Sequence, residues 1–255
     1  MDRLTFVFSR FSRWLYGGVG LVLGIGLWWL MSHLHTGFLI QQLRPEPSFQ
    51  QLLQLLQTPL FYEHMLASLR RIVVGLSGAL LIGLPIGLVM GSIPLCRRLF
   101  TPLFQFLRMI SPLSWMPIAV MAFGVGDAPI YFLLIFAGLW PILINTAQGV
   151  EKLNPRWRLL SRSLNATRWE FLRYILFPAI RHDVFTGCRL AVGVLWIVLV
   201  PCEMLGVNAG LGYLILDTRD RLAYAELMAV ILCIGVLGYT LDSLCRLGLS
   251  RHIHT

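Results

Sequence analysis

The sequence predicts an all-α polytopic membrane protein with six transmembrane helices. Three observations point there. Of 255 residues, 57% are hydrophobic and 13% charged, with a mean hydropathy of +0.73, which leaves too little polar side chain to cover a soluble globule. Six apolar runs, at 14–34, 65–92, 99–124, 129–149, 183–205 and 225–247, each reach the roughly 20 residues needed to cross a hydrocarbon core of about 30 Å. The basic residues behind the net charge of +9 gather in alternate connections between those runs.

The first run follows Arg3, Arg10 and Arg13 with no small-residue cleavage site, so it is read as a retained helix rather than a signal peptide. Six spans put both termini on one side. The segments on that side carry Arg97 and Arg98, then Lys152, Arg156, Arg158, Arg162, Arg168, Arg173 and Arg181, then Arg246 and Arg251. The opposite segments and helix mouths carry Arg44, Arg70, Arg71, Arg219 and Arg221, and this bias places both termini in the cytoplasm. The same clustering accounts for the positive charge without nucleic acid. Between the first two runs, "RPEPSFQQLLQLLQTPLFY" at 44–62 is amphipathic and bounded by prolines, as expected of a short helix on the outer membrane surface. The organisation expected is 1–64 (tail, first helix and amphipathic segment), 65–247 (a five-helix core with a cytoplasmic loop at 150–182) and 248–255 (a second cytoplasmic tail).

Prolines fall inside four of the last five runs: Pro85, Pro112 with Pro117, Pro141 and Pro201. Each frees a carbonyl that lipid cannot satisfy but a neighbouring helix or a water-filled cavity can, which favours a bundle around a pathway. Gly83 and Gly87 have the spacing that lets helix backbones approach, whether for packing or for a hinge. In the fifth run Arg189, Trp196 and Glu203 recur every seven residues, within roughly 40° of one face. They are candidates to line a pathway, with interface anchoring by snorkelling as the alternative. Arg70 and Arg71 point about 100° apart, so at most one faces a central cavity, where with Arg189 it would make the pathway electropositive for an anion; the alternative is that both snorkel toward headgroups. Ser111, Ser114, Trp115 and Asn145 complete the candidate pathway set, the polar ones serving equally well as bonds between helices.

The loop at 150–182 is strongly polar for this chain. Asn154 is placed to cap a helix with Pro155 at its first position, Asn165 to end it in the left-handed conformation, and Thr167 to cap a second helix with Glu170 at capping-box spacing. A helix–turn–helix outside the membrane is either a connector or a shape that docks in a partner's groove.

That loop, "SRSLNATRWEFLRYILFP", resembles the "EAA---G---------I-LP" segment of the membrane subunits of bacterial ATP-binding-cassette (ABC) importers. The family's Glu-Ala-Ala falls on Leu159, Leu160 and Ser161, its Gly on Asn165, its Ile on Ile175, its Leu on Phe177 and its Pro on Pro178; the spacing is kept while the leading Glu and the Gly are replaced. "FQFLRMISPLSWMPIAVMAFGVGD", "LWPILINTAQGVEKLNPRW" and "CEMLGVNAGLGYLILDTRD" are similar to the branch that handles nitrate, sulfonates including taurine, and bicarbonate. The resemblance implies a type I ABC importer permease (MetI-like) core in the bacterial inner membrane. It implies a coupling helix that docks on a separate ATPase through Asn154, Leu159, Leu160, Ser161, Asn165, Arg168, Glu170 and Pro178, and a periplasmic solute-binding protein that delivers the anion.

The chemistry of the residues agrees with that division of labour. The single lysine, Lys152, follows Glu151, so no GxxxxGK[ST] phosphate loop is present and ATP hydrolysis must fall to another subunit. The histidines at 33, 35, 64, 182, 252 and 254 sit at run ends or in the tail, and Cys96, Cys188, Cys202, Cys233 and Cys245 form no CxxC, so neither a catalytic centre, a metal site nor a cofactor is expected. The alternative is an ion-coupled secondary transporter or channel, which would lead one to look for inverted repeats and more buried acids than are visible. Closed two-fold pairs being the commonest assembly, a permease homodimer surrounded by lipid is expected.

Overall fold

The computed structural model describes residues 2–34 and 42–251, and for 2–17, Arg158, Arg162 and 247–251 it describes the backbone alone. His35, His252, His254 and the last four residues of the expected tail lie outside the described residues, as do the side chains of Arg3, Arg10 and Arg13. The described residues form helices and turns, with no strand among them. In chain order the helices are α1 (Asp2–Leu34), α2 (Pro45–Leu55), α3 (Pro59–Ser92), α4 (Pro94–Met109), a 3₁₀ turn (Pro112–Trp115), α5 (Met116–Phe123), α6 (Asp127–Glu151), α7 (Pro155–Ser163), α8 (Arg168–Gly206), α9 (Leu211–Asp220) and α10 (Tyr224–Arg251).

Helices α3, α6, α8 and α10 are long and apolar enough to cross a membrane, the pair on either side of the 3₁₀ turn is bent by 86°, and Gly18–Leu34 is a shorter apolar stretch. The unbroken third span expected at 99–124 is therefore corrected to two helices at a sharp angle. The reason is local: Pro112 and Pro117 remove two amide donors five residues apart, and Ser111, preceding a proline, is forced to the extended ψ of 129°. Hydropathy averages across such a break and does not register it. The second helix outside the membrane is also corrected: it runs without interruption into the fifth span as α8. The amphipathic segment at 44–62 splits, its last residues starting α3.

The chain groups into two compact units. In the first, residues 1–61 with 217–233, Trp28 and Trp29 of α1 donate to the Leu43 carbonyl (3.0 Å) and the Glu46 carboxylate (2.8 Å) respectively. Trp28 also packs on Phe49 of α2. In the second, residues 62–216 with 234–255, α6 is the central helix. Its Ile130, Leu133, Leu134, Ala137 and Ile142 form the core with Ile72 and Ala79 of α3, Met116 of α5, and Ala191, Leu195, Leu199 and Cys202 of α8. A smaller cluster of Val150, Leu176 and Ile180, flanked by Leu88, Phe171 and Leu172, fastens the start of α8 to the ends of α3 and α6.

Glycine sets the distance between α3 and α6. A Cβ at Gly87 would lie 2.7 Å from both the Leu143 carbonyl and the Thr146 Cβ, and one at Gly91 2.6 Å from the Ala147 carbonyl. These backbones touch because no side chain intervenes, so the packing role of the glycine pair is the one the geometry displays. Gly87→Ala is expected to destabilise the fold by about 1–3 kcal/mol, because the obstacle is backbone that cannot rotate away. Thermal unfolding in detergent checks it, with Gly193→Ala, where a Cβ meets nothing within 4 Å, as the neutral reference.

Candidate functional site

The connection between α6 and α8 is assembled from local hydrogen bonds. Asn154 Oδ1 accepts from the Arg156 amide (3.0 Å) with Pro155 at the first helical position, which starts α7. It ends in a Schellman turn: the Ala166 amide donates to the Ser161 carbonyl across the left-handed Asn165, at φ +51°. Thr167 and Glu170 form the full capping box, with the Thr167 amide and hydroxyl donating to Glu170 Oε2 (2.7 and 2.8 Å) and the Glu170 amide donating to Thr167 Oγ1 (3.3 Å).

Residues 171–176 then take π-helical bonding, the Phe177 amide reaching back to the Leu172 carbonyl. This wider turn immediately precedes Pro178, whose ring would meet the Tyr174 carbonyl in a regular α-helix. Leu159, Leu160, Leu164, Trp157 and Trp169 are exposed along the segment, as are Arg168 and Pro178, while Ser161 is buried. A depression of about 510 Å³ lies along α7 between Asn154 and Ser163. Lys152 pairs with Asp183 at 2.9 Å and Arg97 with Glu151, tying the base of the loop to α8 and α4.

At the opposite end of the bundle, His64, Ser68 and Arg71 follow at i, i+4 and i+7, so they share one face of α3. Glu203, in the last turn of α8 and fully buried, accepts from Ser68 Oγ (2.8 Å), Arg71 Nη1 (2.7 Å) and the Gly212 amide (2.9 Å). Arg71 also donates to Asp127 Oδ1 through Nε (2.9 Å) and Nη2 (2.7 Å), and to the Ala209 carbonyl (2.6 Å). The Leu211 amide donates to Ser68 Oγ, and the Gly210 amide to His64 Nδ1 at 3.1 Å, which leaves the imidazole proton on Nε2. Gly210, at φ +124°, lets the loop lie against this cluster, since a Cβ there would collide with the Glu203 carboxyl and sit 2.6 Å from Arg71 Nη1. A depression of about 740 Å³ opens beside it, lined by Arg71, Asp127, Asn208, Ala209 and Tyr213.

The other sequence-derived candidates scatter. Arg70 is exposed while its neighbour Arg71 turns inward. Ser111 and Ser114 are exposed at the proline break, and Trp115 packs on Phe136 with ring centroids 5.7 Å apart. Asn145 Nδ2 donates to the Pro141 carbonyl at 2.8 Å, supplying a donor to a carbonyl of the proline turn. Arg189 pairs with Asp242 of α10 at 2.9 Å, Trp196 lies against Gly238 of α10, and Glu203 meets α3. The seven-residue stripe thus serves two different helix contacts. In this geometry the charges of Arg71 and Arg189 are both offset by carboxylates.

Sequence reasoning set His64 aside as a run-end histidine and passed over Ser68, Asp127 and Asp242. The helical spacing of the first two with Arg71 was a legible signal; Asp127 lies 56 residues from Arg71 and Asp242 lies 53 from Arg189, although Asp242 also pairs with Arg246 one turn away. Between α4 and α6 two open cavities, of about 460 and 360 Å³, share Arg108, Trp140 and Ile144 as lining; Asn145 borders the larger and Gln105 and Glu151 the smaller. Among the described residues no group of acids, histidines and cysteines could hold a metal ion.

Residues 83–253 match the family described as binding-protein-dependent transport system inner membrane component. The chain is 35% identical over 176 residues to the nitrate import permease protein NrtB of Synechocystis sp., covering 69% of this chain and 64% of that protein. It is 35% identical over 179 residues to the bicarbonate transport system permease protein CmpB of Synechococcus elongatus, again 69% and 64%. To the taurine transport system permease protein TauC of Escherichia coli it is 29% identical over 225 residues, 85% and 80% of the two chains. The match therefore spans less than two thirds of the nitrate and bicarbonate proteins. Among solved structures, a chain of the MetNI methionine ABC transporter in inward-facing conformations superposes with a TM-score of 0.62 at 15% identity, over 81% of this chain and 98% of that one, a likeness of fold.

Proposed function

The chain belongs to the family of binding-protein-dependent transport system inner membrane components, and from that premise we propose that it is the membrane-spanning subunit of an ATP-driven importer for a small anion. The observation that carries this reading is α7 with the turn after it: a capped helix and turn that leave Trp157, Leu159, Leu160, Leu164 and Trp169 exposed instead of burying them, as a surface made to be covered by another subunit. A separate ATPase docks there, its hydrolysis driving the bundle, while a binding protein delivers cargo at the Arg71–Glu203 end. The chain pairs with a second copy of itself. The cargo class follows the names of the nitrate, bicarbonate and taurine permeases it is similar to.

In a deletion strain, uptake of labelled nitrate, bicarbonate, taurine and an alkanesulfonate is expected to fall for at least one of the four and to return with the chain; uptake of all four at parental rates would sink the anion reading. Orientation is tested separately. In a chain cleared of its five cysteines, Asn208→Cys should react with an impermeant maleimide in intact cells and Leu164→Cys only after permeabilisation, and the reverse pattern would invert the topology.

A further inference from the structure

Several cations of the bundle are held by acids. Arg71 is held by Asp127 and Glu203, Arg189 by Asp242, Arg97 by Glu151 and Lys152 by Asp183. Arg108, exposed in the last turn of α4, lines both open cavities and makes no ion pair among the described residues. Its side chain is exposed, so water can solvate the guanidinium, and the charge stands free at the mouth of both cavities to meet a ligand. Across the same two cavities stands Trp140, 6% exposed, whose Nε1–H is buried with no hydrogen-bond acceptor. A buried donor without an acceptor is a rare and costly feature that calls for a missing partner.

The rings of Phe104 and Phe136 lie 5.9 and 5.4 Å from the Trp140 ring, the latter edge-on, so the indole is fixed in place by packing. The remaining wall of the larger cavity is chiefly apolar, including Ile110, Ala137 and Val194, and an apolar wall strengthens any charge interaction beside it.

We propose that Arg108 and Trp140 form a station for a small oxyanion at the junction of the two cavities. This deepens the anion-import reading and rests on it. Both groups are donors, and the ligand that completes them is acceptor-rich and negative: the oxygens of nitrate, bicarbonate or a sulfonate suit a planar guanidinium fork with one further N–H. Each cavity is large enough to hold such an ion with water. The station is shared by two chambers, so it passes an ion from one to the other rather than storing it. Its loss therefore lowers the rate of transport more than it changes the concentration at which the binding protein saturates.

The test uses the whole complex, the chain with its ATPase and binding protein, in proteoliposomes, with labelled nitrate, bicarbonate and taurine as probes and binding protein in excess. For whichever anion the wild type carries, Arg108→Gln is expected to slow maximal uptake about tenfold and Trp140→Phe, which keeps the ring and removes the N–H, about threefold. Arg98→Gln, an exposed arginine of the same helix outside both cavities, is expected to transport at the wild-type rate. If Arg108→Gln does not assemble, Arg108→Lys and Trp140→Phe decide: both at the wild-type rate overturn the station. Wild-type rates in Arg108→Gln and Trp140→Phe overturn it equally, with anion import still standing. A wild-type complex that carries none of the three anions would instead overturn the import reading itself.

Discussion

Arg71→Met is expected to destabilise the folded chain by about 3–5 kcal/mol, because it leaves the Glu203 carboxylate fully buried without its cation. Ser68 and the Gly212 amide still donate to Glu203, but hydrogen bonds from neutral groups do not replace a charge 2.7 Å away. Asp127 contributes little to the loss, since its side chain is 42% exposed and water takes over from the guanidinium. Removing the second charge should therefore recover most of the stability: Arg71→Met with Glu203→Gln is expected to unfold closer to wild type than Arg71→Met alone. Thermal unfolding in one detergent at one pH measures both. Arg70→Met, one residue away and exposed, is the reference, expected within about 0.5 kcal/mol of wild type. An Arg71→Met midpoint equal to that of Arg70→Met would mean that the buried cluster does not hold this end of the bundle together.

Asn165→Val is expected to uncouple the proposed importer. The residue closes α7 at φ +51°, a conformation that a β-branched side chain adopts only with strain of about 1–3 kcal/mol, whereas asparagine and glycine reach it readily. The Schellman bond from the Ala166 amide to the Ser161 carbonyl, 2.9 Å, depends on that conformation, so strain there changes the direction in which α7 leaves the bundle. Uptake and the stimulation of the ATPase by loaded binding protein should both fall severalfold, while Asn165→Gly retains both. Wild-type uptake and stimulation in Asn165→Val would remove the turn from the coupling path, whatever the fate of the rest of the surface.

Different parts of the molecule were legible to different degrees, and the reason lies in how far apart the interacting groups are in the chain. Hydropathy and charge bias marked the helical spans because the bilayer rewards apolar length whatever the neighbours. Asn154, Asn165 and Thr167 with Glu170 could be read as caps because each makes its bonds within five residues, so composition at fixed offsets is enough. The break at Pro112 was half legible: two prolines five apart announce a disturbed helix, but a kink and an 86° turn have the same sequence.

What the sequence by itself determined, then, is that this chain is helical, apolar and punctuated by a capped turn outside its apolar spans. Tertiary structure alone decided which distant charges meet. Arg71 finds Glu203 across 132 residues and Asp127 across 56, Arg189 finds Asp242 across 53, and Arg108 finds no acid at all among the described residues. Those outcomes depend on the rotation of α3, α4, α6 and α8 about their own axes. For α3, α6 and α8 that rotation is set by close backbone contact at Gly87 and Gly91 and by the fit of α6 against α8. A turn of one residue, about 100°, would give each arginine a different partner, and no local pattern in the sequence encodes that angle.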